Sequence, residues 1–227
     1  MTTHSAHPTA TTRPPRPDLR AALAPGLLTI IAGAVQGDGA IITAVYRNAS
    51  PISDEQLSYP WDGATAITTS LIWGVTQVLI VVGLLAFARS GAAPTTAGRV
   101  GGRLAVAGAV LYVVAHALSL VAYDSPLDDP ISVAVLSCFG VGTLLTAVGL
   151  VMAGAATVRS GAWAGWRRFA PLVLGVWMVA MMPLQFTAAL PLAVGIYAVA
   201  VMAFGLALIL EGPGTGATAL TSRQVLG

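Results

Sequence analysis

Asp38, in the stretch Gln36-Gly37-Asp38-Gly39, interrupts an apolar run that extends from about Leu19 to Tyr46. A carboxylate in hydrocarbon costs roughly 2.5–3.5 kcal/mol on insertion scales, so such a residue is by default a functional hypothesis with a partner to be found. The partner expected first is His116. It belongs to a later apolar run in which Tyr112, His116, Ser119 and Tyr123 recur at steps of four, three and four. That spacing places the four side chains on one face of a helix. In a span otherwise made of Ala, Val and Leu, a polar face belongs in the bundle interior. A protonated aspartate in an apolar cavity is a competent general acid, and aromatic faces stabilise a cation formed beside it. Asp38 and His116 are therefore the catalytic candidates, with Trp73, Tyr112, Trp177, Gln185 and Tyr197 as substrate contacts.

Each of these residues also has a plainer role. Thr69, Trp73 and Gln77 follow one another at steps of four, as do Trp177, Met181 and Gln185. A Gln, Tyr or Ser in a membrane helix is often only an interhelical hydrogen bond worth ~0.6 kcal/mol. Depth gives some discrimination, at ~1.5 Å of rise per residue across a ~30 Å core. Asp38 and Gln185 fall roughly 6 Å inside the external boundary, Trp73 and Tyr197 about 10–12 Å inside it, and His116 near the midplane. The ionisable groups thus gather in one half of the membrane. Gln36 points roughly 200° away from Asp38, so on a regular helix the two do not share a site; flanking glycines permit a kink that would alter this.

The elements that position these residues follow from hydropathy. The chain is 56% hydrophobic and 9% charged, against the ~25% charged residues of a soluble domain. Its mean hydropathy is +0.81. Six apolar segments, approximately 19–46, 64–88, 103–122, 131–157, 169–187 and 190–210, approach or exceed the ~20 residues that cross a bilayer. The fold class expected is an all-α polytopic bundle of six transmembrane helices in the cell membrane. Residues 1–18 and 211–227 read as flexible tails; His4 and His7 in the first are solvated spacers, with adventitious metal binding as the alternative. Gly33 and Gly37 form a small-xxx-small pair in the first span, and Gly140, Gly142 and Gly149 permit close packing of the fourth.

Arginines sit before the first span as Arg13, Arg16 and Arg20, and in the second-to-third and fourth-to-fifth connections as Arg89, Arg99, Arg103, Arg159, Arg167 and Arg168. The alternate connections hold Asp54, Glu55, Asp62, Asp124, Asp128 and Asp129, with Arg47 their single base. The positive-inside rule then makes both termini cytoplasmic. A cleaved signal peptide ending near Ala32-Gly33-Ala34 is the alternative for the first span; the apolar pattern resuming at Ala40 favours retention. In the first external connection, Ser58-Tyr59-Pro60-Trp61 reads as an interfacial anchor or as a lid over an external cavity. The triplet at Asn48 is followed by Pro51 and is set aside as a glycosylation site.

Several chemistries are excluded. The single cysteine, Cys138, rules out an intrachain disulfide and cysteine-rich metal or iron–sulfur sites. Lysine is absent, which removes Schiff-base cofactors. No Walker loop, His-Glu-x-x-His or Gly-x-Ser-x-Gly occurs, one histidine in the spans is too few for two axial haem ligands, and there is no basic nucleic-acid surface. No metal or cofactor is expected. The partners expected are the lipid bilayer, a lipophilic small molecule and, for some functions, a second copy of the chain.

The Ser58-Tyr59-Pro60-Trp61 stretch resembles the first external loop of a group of small actinobacterial integral membrane proteins with six helices. The arginine-only basic complement and the richness in Ala, Gly and Val fit such a high-GC source. In size and all-helical form the chain is also similar to bacterial membrane-bound terpene cyclases of indole-terpenoid pathways. That resemblance implies protonation and cyclisation of an isoprenoid inside the membrane; no catalytic residue is carried over from it. The readings kept beside it are a proton-linked carrier built on Asp38 and His116, an accessory subunit, and an assembly or membrane-stress protein without a small-molecule site.

Overall fold

The computed structural model describes residues 19–211, and there the chain is helical apart from its connections, with no named strand. The segments read as tails at 1–18 and 212–227, with His4 and His7, lie outside the described residues. Six helices follow in order: α1 (Leu19–Tyr46), α2 (Gly63–Arg89), α3 (Thr96–Ala122), α4 (Pro130–Ser160), α5 (Ala170–Met181) and α6 (Leu190–Leu210). All but α5 are long and apolar enough to cross a membrane.

Helix ends follow local chemistry. Asp62 accepts from the Thr65 amide at 3.0 Å, Thr95 from Gly98 at 3.0 Å and Asp129 from Ile131 at 2.9 Å, each satisfying a first-turn N–H that has no intrahelical partner. Two acidic residues of the alternate connections are therefore helix caps. The Thr95 cap starts α3 seven residues earlier than the apolar run at 103–122 suggests. Gly161, at φ +62, closes α4 in the left-handed conformation that glycine adopts without penalty.

The fifth apolar segment departs most from expectation. Its α-helix has 12 residues, flanked by 3₁₀ turns at Gly165–Phe169 and Pro183–Phe186. Prolines explain both limits: Pro171 occupies the first turn, where no donor is needed, and Pro183 cannot donate to continue the ladder. The α-helical part covers about 18 Å, short of a ~30 Å core, and the flanking turns extend it. Gln185 lies in the second turn, not in a helix.

The helices form a closed ring in chain order, each packed on its neighbours in sequence, with α6 returning to α1 and also touching α2. Two seams are built on missing side chains. Between α1 and α6, a Cβ on Gly33 would stand 2.9 Å from the Ala198 carbonyl, and one on Gly205 2.8 Å from the Gly26 carbonyl. Between α3 and α4, a Cβ on Gly101 would meet the Gly149 carbonyl at 2.6 Å, and one on Gly108 the Gly142 carbonyl at 2.6 Å. On both helices of the second seam buried residues recur every seven positions, Gly101, Gly108, Ala115 and Ala122 on α3 and Val135, Gly142, Gly149 and Ala156 on α4, most of them small. A period of seven keeps a helix face on its partner, and small residues let the backbones approach closely.

The ring has two unlike ends. One holds Arg89, Arg99, Arg103, Arg159, Arg167 and Arg168; there Arg167 pairs with Glu211 at 3.0 Å and donates to the Leu210 carbonyl at 3.0 Å. Glu211 is thus held, although its position was assigned to the tail. The other end carries Asp54, Glu55, Asp62, Asp124, Asp128 and Asp129. Its two longer connections are tied together: Leu57 donates to the Ser125 carbonyl at 3.1 Å, and Leu127 to that of Glu55 at 2.8 Å.

Candidate functional site

Interhelical pairings fix the level of each candidate. Gly39 faces the Trp73 indole, Gly37 faces Ala198, and Gly74 faces His116. Asp38, Trp73, His116 and Tyr197 consequently share one level of the bundle, whereas depths counted along the sequence spread them from roughly 6 Å inside the boundary to near the midplane. Direction is a separate matter, and it separates Asp38 from the others.

The α1 residues Gly26, Gly33 and Gly37 face α6, whereas Thr29 and Gly39 face α2. What remains is an outward stripe, Leu27, Ile31, Ala34, Asp38, Ile41 and Val45, all exposed. Asp38 belongs to that apolar stripe. Among the described residues it forms no salt bridge and no side-chain hydrogen bond, so the expected Asp38–His116 pair is not made. The inward polar residue of α1 is Gln36, 5% exposed, whose amide donates to the Thr76 hydroxyl at 3.3 Å. Thr76 in turn donates to the Trp73 carbonyl at 2.9 Å.

His116 is buried and held by aromatic edges. Its ring meets Trp73 at 6.3 Å and Phe139 at 4.9 Å between centroids, both edge-on. Phe139 continues the set to Tyr112 at 5.6 Å. Tyr112 is hydrogen-bonded to Thr143, which itself donates to the Phe139 carbonyl at 2.8 Å. Gly142 makes room for this arrangement, since a Cβ there would press on the Tyr112 ring at 3.1 Å. Tyr197 reaches the same interior from α6, where it packs with Tyr112 on the buried core. Ser119, one turn beyond His116, donates back to the Ala115 carbonyl at 2.9 Å and is satisfied within its own helix.

The result is a contiguous layer of Trp73, His116, Phe139 and Tyr112 from α2, α3 and α4, with Tyr197 approaching from α6. Trp177 stands apart: its indole N–H donates to the Ala193 carbonyl at 3.0 Å, fastening α5 to α6. Gln185 is in the turn at the acidic end, and its backbone N–H donates to Met182 at 3.3 Å. Phe139, Thr143 and Thr76 are the participants that polarity alone does not single out. Phe139 and Thr143 follow at i and i+4 on the α4 face that carries the seven-residue repeat, which is the signal that finds them.

The Ser58–Trp61 loop folds back onto the end of α1. The Tyr59 hydroxyl donates to the Arg47 carbonyl at 3.0 Å, the Arg47 guanidinium lies over the Tyr59 ring at 5.7 Å, and Trp61 stacks on Tyr46 at 5.1 Å. Chemically, the layer offers one imidazole, two phenols and several ring edges. Among the described residues no cluster of His, Cys, Asp and Glu is able to hold a metal ion. Compared with protein-family models, curated proteins and solved structures, the chain matches none.

Proposed function

We propose that the protein is a multi-pass enzyme of the cell membrane, with both termini cytoplasmic, that binds a lipophilic isoprenoid and cyclises it by proton transfer. The observation carrying this reading is the edge-to-face layer of Trp73, His116, Phe139 and Tyr112 beneath the tied loops. Such a layer is apolar enough for a prenyl chain, and rotated ring faces stabilise a developing carbocation. Asp38 is exposed on the other side of α1, so the acid in this mechanism is His116.

His116 takes up a proton and gives it to an alkene carbon or epoxide oxygen of the substrate. The chain closes on the resulting cation, and loss of a proton from an adjacent carbon returns it to the imidazole. The sum is an isomerisation that consumes no cofactor. Tyr112, Trp73 and Tyr197 shape the space in which the chain folds, with Trp177 acting one step removed through the α5–α6 contact.

The test is conversion of polyprenyl or prenyl-indole substrates by the reconstituted protein in D₂O. One carbon-bound deuterium is expected in the product when an alkene carbon is protonated, and only an exchangeable hydroxyl deuterium when an epoxide is opened, with lost activity in His116→Asn and retained activity in Asp38→Asn. Full turnover by His116→Asn would end the reading, and abolished turnover in Asp38→Asn would return the acid role to that carboxylate.

The exposure of Asp38 favours a second reading, an accessory subunit or homo-oligomer whose neighbour covers α1. A carboxylate in a lipid-facing stripe is costly, and a neighbouring span supplying a donor offsets that cost. Crosslinking from a cysteine placed at position 34 or 41, in a Cys138→Ser background, tests for that neighbour; a chain that stays monomeric in membranes sinks it.

A further inference from the structure

The basic end of the bundle carries an unassigned groove between the last turns of α2 and the first turns of α3. It measures about 420 Å³, within the roughly 300–1,000 Å³ of ligand sites. Its walls are ordered along the helix axes. Arg89, Arg99 and Arg103 line one end, and Leu85, Val106 and Ala107 the other. The floor is the close approach of Ala88 to Gly102, where an added Cβ would meet the Ala88 methyl at 3.3 Å.

The three arginines are exposed, and among the described residues none of them pairs with a carboxylate. The apolar end does not stop at the groove. On α3 the exposed stripe runs from Arg103 through Ala107, Val110 and Val114 to Val121, a charged head followed by an apolar track of helical spacing. A free anion would use only the arginines. An amphiphile with an anionic head uses both ends.

The geometry points to a binding site for an anionic phospholipid, its phosphate on Arg89, Arg99 and Arg103 and an acyl chain along Ala107 and Val110. Guanidinium groups match phosphate oxygens in bidentate geometry and are weakly hydrated, which suits them to the membrane interface. Basic pockets between spans at the cytoplasmic face are places where lipid head groups bind. The inference rests on the membrane reading above but not on the cyclase reading.

The test is reconstitution of the full chain into phosphatidylcholine vesicles, followed by native mass spectrometry of lipid retention with phosphatidylglycerol added. Vesicles of phosphatidylcholine alone score membrane integration, so failure of that reading shows separately as protein that does not float with them. Retention of phosphatidylglycerol over phosphatidylcholine is expected. It should fall about fivefold for each Arg→Gln substitution at 89, 99 or 103, and on the order of a hundredfold for all three. Ala107→Trp, at an exposed position, should weaken phosphatidylglycerol retention while leaving the arginines in place. Equal retention of the two lipids, an unchanged triple variant, or displacement of phosphatidylglycerol by equimolar inorganic phosphate would each overturn the assignment.

Discussion

Replacing Asp38 by leucine is the sharpest test of the direction assigned to α1. On insertion scales an aspartate at a helix centre costs about 2.5–3.5 kcal/mol, and a leucine contributes about −0.3 to −0.6. Asp38 lies eight residues, or about 12 Å, along α1 from Tyr46, which stacks on Trp61. If that aromatic pair marks the hydrocarbon edge, Asp38 is about 12 Å inside it, deeper than the roughly 6 Å that hydropathy alone suggests, and only about 3 Å short of the midplane of a ~30 Å core. Asp38→Leu should therefore favour insertion of α1 by about 3 kcal/mol, or roughly a hundredfold in the ratio of inserted to uninserted chains. The assay is cell-free synthesis of the full chain into microsomes, with a glycosylation acceptor placed ahead of α1 to report its insertion. Gln36→Leu is the matched control. It faces α2 and loses one hydrogen bond worth ~0.6 kcal/mol. Activity should survive Asp38→Leu. A variant that inserts no better, or that folds but loses turnover, would mean the carboxylate is engaged by a buried partner and that the outward assignment is mistaken.

Three further outcomes follow from the packing and the caps. Gly149→Ala places a methyl against the Ala105 amide and 2.5 Å from the Gly101 carbonyl; neither can move aside. The seam must open, at about 1–3 kcal/mol, whereas Gly140→Ala and Gly195→Ala, with open space at the added Cβ, should be neutral or stabilising in SDS-unfolding titrations. Equal losses at all three would refute the seam. Tyr112→Phe and Thr143→Val should show a coupling of about 0.6 kcal/mol in a double-mutant cycle, and strict additivity would mean that their hydrogen bond contributes nothing to stability. The Thr65 hydroxyl and amide hold the Asp62 carboxyl below its ordinary value of 3.8. The cap is therefore fully present above that value and is lost as pH falls through the lower folded value. The thermal advantage of wild type over Asp62→Ala should hold from pH 7 to 5 and shrink below about 4; a difference that persists at pH 2 would place its origin elsewhere.

Most of the fold could be read from hydropathy, because length and apolarity dictate where a chain can satisfy its backbone in lipid. The 19–46 and 190–210 boundaries coincide with α1 and α6, and the ends of α2 shift by a single residue. The errors have local causes. Hydropathy does not register the Thr95 cap that starts α3 in a polar turn, nor the loss of an amide donor at Pro183, which splits an apolar run into a 12-residue helix and a 3₁₀ turn. Of the α3–α4 seam only the glycines of the fourth span, Gly140, Gly142 and Gly149, are legible in the sequence as permitting close packing; that the partner is the repeat at 101, 108, 115 and 122 of α3 comes from the packed helices. Polar residues draw attention first, and small ones carry the packing.

The interior layer was legible only as a set of polar residues in one half of the membrane. Rise counted along the sequence spreads Asp38, Trp73, Tyr197 and His116 over roughly 9 Å, because hydropathy leaves each span's edge undefined by several residues; packing brings them to one level. Which face turns inward is decided by what fits against a neighbour, and on α1 that is set by the residues without side chains. Gly26, Gly33 and Gly37 dock on α6, and Gly39 accepts the Trp73 indole from α2. Those contacts fix the helix rotation and leave Leu27, Ile31, Asp38, Ile41 and Val45 facing out, with Gln36 turned in to Thr76. The cost of an aspartate in the membrane favours an inward position only when nothing stronger sets the rotation. Here each backbone approach between α1 and α6 commits many dispersion contacts, against one carboxylate whose cost a neighbouring span or the bilayer surface has to offset. The polar residue that reports the interior is the glutamine two positions earlier, and the aspartate reports what lies outside.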